Sequence, residues 1–142
     1  MSAAENKALA RRLLDEVVNK GSAAAVDEYF APNYVEHDTP PGVPPTREGV
    51  KMLLGAFRAA FPDLHYHVDD EIAEGDKVVQ YVTGHGTMKG DFQGIKATGK
   101  EGTWKEMHIV RFEGGKVAEH WQVVDQLGML VSLGVMPAPG GG

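Results

Sequence analysis

The chain has 142 residues, enough for one domain with a sizeable core. A composition 42% hydrophobic and 24% charged excludes a disordered chain, and the lack of Cys excludes disulfides, thiolate metal sites and cysteine nucleophiles. A net charge of -6 argues against nucleic acid or an acidic membrane as a partner.

No apolar run approaches the ~20 residues of a membrane span. Arg11 and Arg12 interrupt the stretch where a signal peptide would be apolar, so a soluble, cytoplasmic protein is expected. Ser2 followed by Glu5 is a capping-box pattern. Leu9, Leu13 and Val17, flanked by Leu14 and Val18, form one helical stripe that Gly21 can stop. Ser22 can cap a short second helix carrying Val26, Tyr29 and Phe30, which Pro32 is expected to end. After a segment broken by Pro40, Pro41, Pro44 and Pro45, Thr46 can cap a third helix. Val50, Leu53, Leu54, Phe57 and Phe61 recur on it at helical spacing, and Pro62-Asp63 closes it.

Strands follow. Leu64 to Ile72 alternates, with Leu64, Tyr66, Val68 and Ile72 on one side, and a turn at Ala73–Asp76 leads into Lys77–Thr87. Lys89 to Gly102 reads as loop with a short edge strand. Thr103–Glu113 and Lys116–Asp125 form a hairpin turned at Gly114-Gly115, and a short helix closes the chain from Gln126 to Leu133. Residues 1–142 read as a single α+β domain, with a disordered tail from Pro137 to Gly142.

The hairpin carries the chemistry. With Glu113 opposite Lys116 and strict alternation, one face holds Trp104, Glu106, His108, Val110, Phe112, Val117, Glu119, Trp121, Val123 and Asp125. Indoles and aliphatics mixed with ionisable groups suit a ligand cavity better than a core or a solvent face. Trp104, Glu106 and Trp121, with Phe57 and Phe61 from the third helix, are the expected substrate walls.

Asp125, at the strand end beside Trp104, is the preferred proton-transfer group, because desolvation makes a carboxylate a stronger base. The competing reading is that Asp125 caps the helix beginning at Gln126. His108 points to the same face and is the second candidate, ~13 Å away along the strand. His37, before the proline-rich loop, is the third. His65 and His67 share a face with Asp69 and Glu71, but a polar outer sheet face explains that spacing, so no metal site is expected. No serine lies in a nucleophile elbow, no lysine falls on the cavity face, and no glycine motif suits a phosphate. Cofactor-free acid/base chemistry, or binding alone, remains.

Several segments carry a family resemblance. Gly90-Asp91-Phe92, Thr98-Gly99-Lys100, His108-Ile109-Val110-Arg111-Phe112, Gly115-Lys116-Val117, Glu119-His120-Trp121 and Asp125 resemble the SnoaL-like polyketide cyclases, or ester cyclases. Tyr34-Val35-Glu36-His37, Phe61-Pro62-Asp63-Leu64 and Leu133-Gly134 fit the same pattern, whereas Lys96-Ala97 and Ser132 depart from it. The resemblance implies a nuclear transport factor 2-like conical barrel, three N-terminal helices packed on a curved antiparallel sheet. It also implies a homodimer or homotetramer, a hydrophobic small-molecule substrate, and an intramolecular aldol-type cyclisation without cofactor or metal. Asp125 matches the family's acid/base aspartate, and His37 and His108 match pocket histidines. A same-fold isomerase, an epoxide hydrolase-like enzyme and a non-catalytic binding protein are the alternatives.

Overall fold

The computed structural model describes residues 1–140. Helix α1 runs Ala3–Leu13 and α2 Ala23–Tyr29; strand β1 follows at Phe30–Glu36, then α3 at Arg47–Ala60. Strands β2 (His65–Glu74), β3 (Lys77–Thr87), β4 (Glu101–Glu113) and β5 (Lys116–Val124) precede α4, Gln126–Ser132. The four helices pack on a curved five-stranded sheet of order β1-β5-β4-β3-β2. None of them is long and apolar enough to cross a membrane.

The local signals explain most boundaries. Ser2 Oγ accepts the Glu5 backbone N–H, and the Glu5 carboxylate accepts that of Ser2, both at 3.1 Å. After Leu13 the helix widens into a π-helical segment, Leu14–Asn19, ending before Gly21 at φ +65°. Arg58 of α3 donates to the freed carbonyls of Val18, at 3.1 Å, and Asn19. Ser22 Oγ caps α2 by accepting the Ala25 N–H at 3.2 Å. Gly114 and Gly115, both at positive φ, turn the β4–β5 hairpin as expected, with Glu113 opposite Lys116. Between β3 and β4 the chain is irregular, apart from one bridge between Phe92 and Ile95.

Three expectations are corrected. Pro32 does not end α2: Phe30 already belongs to β1, an edge strand where proline's missing donor is tolerated. β1 runs parallel to β5, so the sheet is mixed rather than wholly antiparallel. Ideal alternation also fails twice. On β2, Val68 pairs with Val82 but Asp70 with Tyr81, so Asp69 is an extra residue. On β5, Phe112 pairs with Val117 but Arg111 with Glu119, so Ala118 is extra. Each bulge moves every later side chain to the other face. Ile72 is therefore 63% exposed, while Glu71 and Ala73 turn inward. Pro137–Gly140 are exposed and outside any helix or strand, and the rest of the expected tail, Gly141 and Gly142, lies outside the described residues.

Two apolar clusters form the core. One joins α1, α2 and β1 to the turn end of the sheet through Val26, Tyr34, Val78, Val110, Phe112 and Val117. The other gathers Phe61, Leu64, Tyr66, Val82, Trp104 and Leu133 at the opposite end. Gly84 lets the second cluster close: a Cβ there would stand 2.7 Å from Tyr66 and 2.8 Å from the Trp104 indole nitrogen. Gly84→Ala is expected to lose roughly 1–3 kcal/mol, measured by urea denaturation, because both rings are packed against immobile neighbours.

Candidate active site

Between the clusters lies a cavity of about 170 Å³. Its walls are apolar: Leu13, Leu14, Val17 and Val18 from the first helix, Val50, Leu53, Leu54 and Phe57 from α3, and Val110, Val117 and Val124 from the sheet. The sheet side adds Tyr34, Glu36, Tyr66, Gln80, Glu106, His108, His120 and Gln122. No lysine or arginine lines it.

Six of the sheet's side chains and Trp104 form one hydrogen-bonded chain. Tyr34 donates its hydroxyl to Glu36 Oε1 at 2.8 Å, and His120 Nδ1 meets the same oxygen at 2.6 Å. His120 Nε2 lies 2.7 Å from His108 Nδ1, and His108 Nε2 lies 2.8 Å from Glu106 Oε1. Glu106 Oε2 accepts the Tyr66 hydroxyl at 2.5 Å and the Trp104 indole N–H at 2.8 Å. The carboxylate side chains are 5% exposed, so the charge is held almost wholly by these partners.

Electrostatics follow from the contacts. Burial pushes the Glu36 carboxyl up, but bonds from His120, Tyr34 and the Asp38 backbone outweigh it and hold it below the usual range. Glu106 is likewise pushed up by burial and brought below the usual range by His108, Tyr66 and Trp104. Burial, reinforced by the neighbouring His108, lowers His120 despite the opposing pull of Glu36. Desolvation and the adjoining carboxylates raise Tyr34 and Tyr66, which therefore stay protonated donors.

With both carboxylates ionised, each histidine donates one N–H to its own carboxylate. The 2.7 Å contact between the rings then needs one further proton. That proton is shared between His108 Nδ1 and His120 Nε2. The network carries two negative charges and one positive.

The expected site is partly assembled. His108, Glu106 and Phe57 line the cavity. Trp104 stands behind it, anchoring Glu106, and Phe61 is fully buried in the core beside Trp104. The other expected residues do not line it. Asp125 is exposed and accepts the Gly128 N–H at 2.9 Å, capping α4. Trp121 faces outward and stacks on His37, with ring centroids 4.5 Å apart. His37 meets Glu119 at 3.2 Å, and Arg111 holds Glu119 at 2.5 Å. Inward orientation of Asp125, Trp121 and Glu119 is thus corrected by one inserted residue, and His37, just beyond the end of β1, is outside the cavity against Trp121 and Glu119. In their place the bulge brings in His120, Gln122 and Val124, and the parallel β1 adds Tyr34 and Glu36. The two adjacent apolar residues Val117-Ala118 are the break in alternation that marks the change.

The other histidine cluster is also divided. His65 and His67 remain on the outer face with Asp69, whereas Glu71 turns inward and pairs with Arg11 at 2.9 Å. Among the described residues, no group of three or more histidines and carboxylates is arranged to hold a metal ion. Asp125→Ala is expected to cost about 1 kcal/mol of stability, read by chemical denaturation, as for a lost N-cap. For any reaction run in the cavity, its turnover should stay within about twofold of the wild type, because Asp125 does not line the cavity.

A curved sheet wrapped by helices around a mostly apolar hollow with a buried His–carboxylate network is an α+β architecture of the nuclear transport factor 2-like type. Residues 8–133 match the SnoaL-like polyketide cyclase family, and the chain belongs to that family. It is similar to the nogalonic acid methyl ester cyclase of Streptomyces nogalater, 29% identical over 118 residues covering 82% of this chain and 88% of the relative. Among solved structures, TsrD from Streptomyces laurentii superposes with a TM-score of 0.86 at 29% identity, covering 96% of this chain and 99% of its own. AclR from Streptomyces galilaeus, for which hydroxylation has been suggested, gives 0.83 at 32% identity, covering 96% and 85%.

Proposed function

We propose that this chain is an enzyme that cyclises an uncharged polyketide-like or ester substrate by cofactor-free acid/base catalysis of an intramolecular aldol-type reaction. The observation that carries the reading is the paired imidazoles, each backed by a buried carboxylate, on the wall of an otherwise apolar cavity. It departs from the expectation on Asp125 only in which groups move the proton.

In the closed pair every ring nitrogen is engaged. Loss of the shared proton leaves two lone pairs facing each other at hydrogen-bond distance, which drives the contact open and frees one nitrogen as a base. That nitrogen removes the proton from a carbon activated by carbonyl groups. The resulting enolate attacks a second carbonyl of the same molecule, forming the carbon–carbon bond. The protonated imidazole returns its proton to the new alkoxide, so the protein ends unchanged. Glu36 and Glu106 orient the rings and stabilise positive charge on them, and the apolar walls fold the substrate.

Two charge arguments are testable. The site's net charge is negative and neither lysine nor arginine lines it, so a free carboxylate on the substrate is disfavoured. A methyl ester should therefore show a kcat/KM at least about tenfold above that of its free acid, measured by steady-state assay with matched substrates. Because the base is the pair that has lost its shared proton, kcat/KM should rise with pH through the histidine range to a plateau. Product mass separates the outcomes: cyclisation keeps the substrate's mass or loses water, whereas the activity suggested for AclR would add oxygen.

A homo-oligomer belongs to the same proposal. Tyr81, Met107 and Val123 leave apolar surface exposed on the outer sheet face, beside Ile109 and Trp121, and a second copy of this chain is the occupant proposed for it. Analytical ultracentrifugation of the wild type and Val123→Glu tests it, with dissociation expected in the variant.

A further inference from the structure

Gln80 lies in the middle of β3, directly opposite His108 on β4, and is 2% exposed. The Asp69 bulge turns Glu71 inward opposite it. Gln80 Nε2 donates to Glu71 Oε2 at 2.8 Å, and the other oxygen of Glu71 accepts Arg11 Nε at 2.9 Å. An ionised carboxylate only accepts, so the Gln80 amide has one orientation: nitrogen toward Glu71, carbonyl oxygen away from it. Among the described residues, the only sealed side-chain atom without a partner is Asn6 Oδ1. The Gln80 oxygen is therefore neither sealed nor supplied with a donor, and the open space beside this residue is the cavity.

We propose that Gln80 reads the ligand: its amide oxygen accepts a hydrogen bond from an uncharged hydroxyl, of phenol or enol type, on the bound molecule. This rests on the reading of the cavity as the substrate site and adds the chemical class that the site selects. The histidines cannot share this task in the closed pair, because their nitrogens are occupied. Opposed Cβ atoms on neighbouring strands are about 5 Å apart, so a hydroxyl held by Gln80 sets the adjoining part of the ring over His108. The amide thus also orients the carbon that loses its proton.

Phenol and toluene are suitable probes, since an apolar cavity of roughly 150 Å³ accepts benzene and this one is similar in size. Their dissociation constants are read by NMR titration in the wild type, Gln80→Met and Glu71→Gln. The toluene-to-phenol ratio of dissociation constants is expected to fall about fivefold in Gln80→Met, the loss of one neutral hydrogen bond. In Glu71→Gln the amide can turn, and the ratio is expected to fall about twofold or more. Equal ratios in the wild type and Gln80→Met overturn the proposal while leaving the cavity as a binding site. If neither probe enters the wild-type protein, the cavity reading falls and this inference with it. Should Gln80→Met fail to fold, an unchanged ratio in Glu71→Gln overturns the proposal on its own.

Discussion

His108→Phe is expected to lower turnover by about 100-fold or more, the usual loss when a positioned acid/base group is removed. Phenylalanine keeps a ring where the imidazole lay and removes both nitrogens that join His120 to Glu106. Glu36 and His120 keep their own contact at 2.6 Å, so one half of the network survives. The loss should fall mainly on kcat, since a ligand's apolar contacts with Val50, Leu54 and Phe57 are untouched. The pH dependence through the histidine range should flatten in the same variant. Full activity in a folded His108→Phe protein would remove the imidazole pair from the mechanism.

Glu106→Ala should be the costliest substitution for stability, about 3–5 kcal/mol, because it breaks a buried pair by deleting one partner. Three donors converge on this carboxylate, from His108, Tyr66 and Trp104, and all three would be left without it. The truncation also leaves a void beside Trp104, which is itself only 2% exposed. Urea denaturation at neutral pH measures the loss. The cost should shrink in acid, and the sign follows from the direction of the shifts. Glu106 and Glu36 are depressed in the fold, so their stabilisation is present above the ordinary glutamate value of 4.5 and is lost as pH falls through their folded values below it. His120 is also depressed, so the unfolded chain takes up its proton first as pH falls below 6.5. Wild-type stability therefore declines in two acid steps, and the lower one should be reduced in Glu106→Ala.

The contrast between Asp125 and His120 shows where local reading stops. Asp125-Gln126 carries two compatible signals, a carboxylate at a strand end and a favoured N-cap, and only the capping one is used, through the Gly128 N–H. Strict alternation from Val117 would place His120 on the outer face. It faces the cavity because Ala118 is inserted between them in the ladder. Glu71 and Gln80 were brought together in the same way by Asp69, and the two consecutive acids Asp69-Asp70, both outward, mark the place in the sequence. β1 carried little strand signal, because Pro32 lies inside it and its pairing is to β5, far along the chain.

By itself, the sequence determined the Ser2 and Ser22 caps of α1 and α2, though not a side-chain cap by Thr46 on α3, together with the glycine-turned β4–β5 hairpin, the inward face of β4 with Glu106 and His108, and the family. Those rest on contacts between near neighbours, or on residues whose alternation is unbroken. Only the tertiary structure decided which residues of β5 and β1 complete the site. A bulge answers to the curvature of the whole sheet, and one extra residue reverses every side chain beyond it.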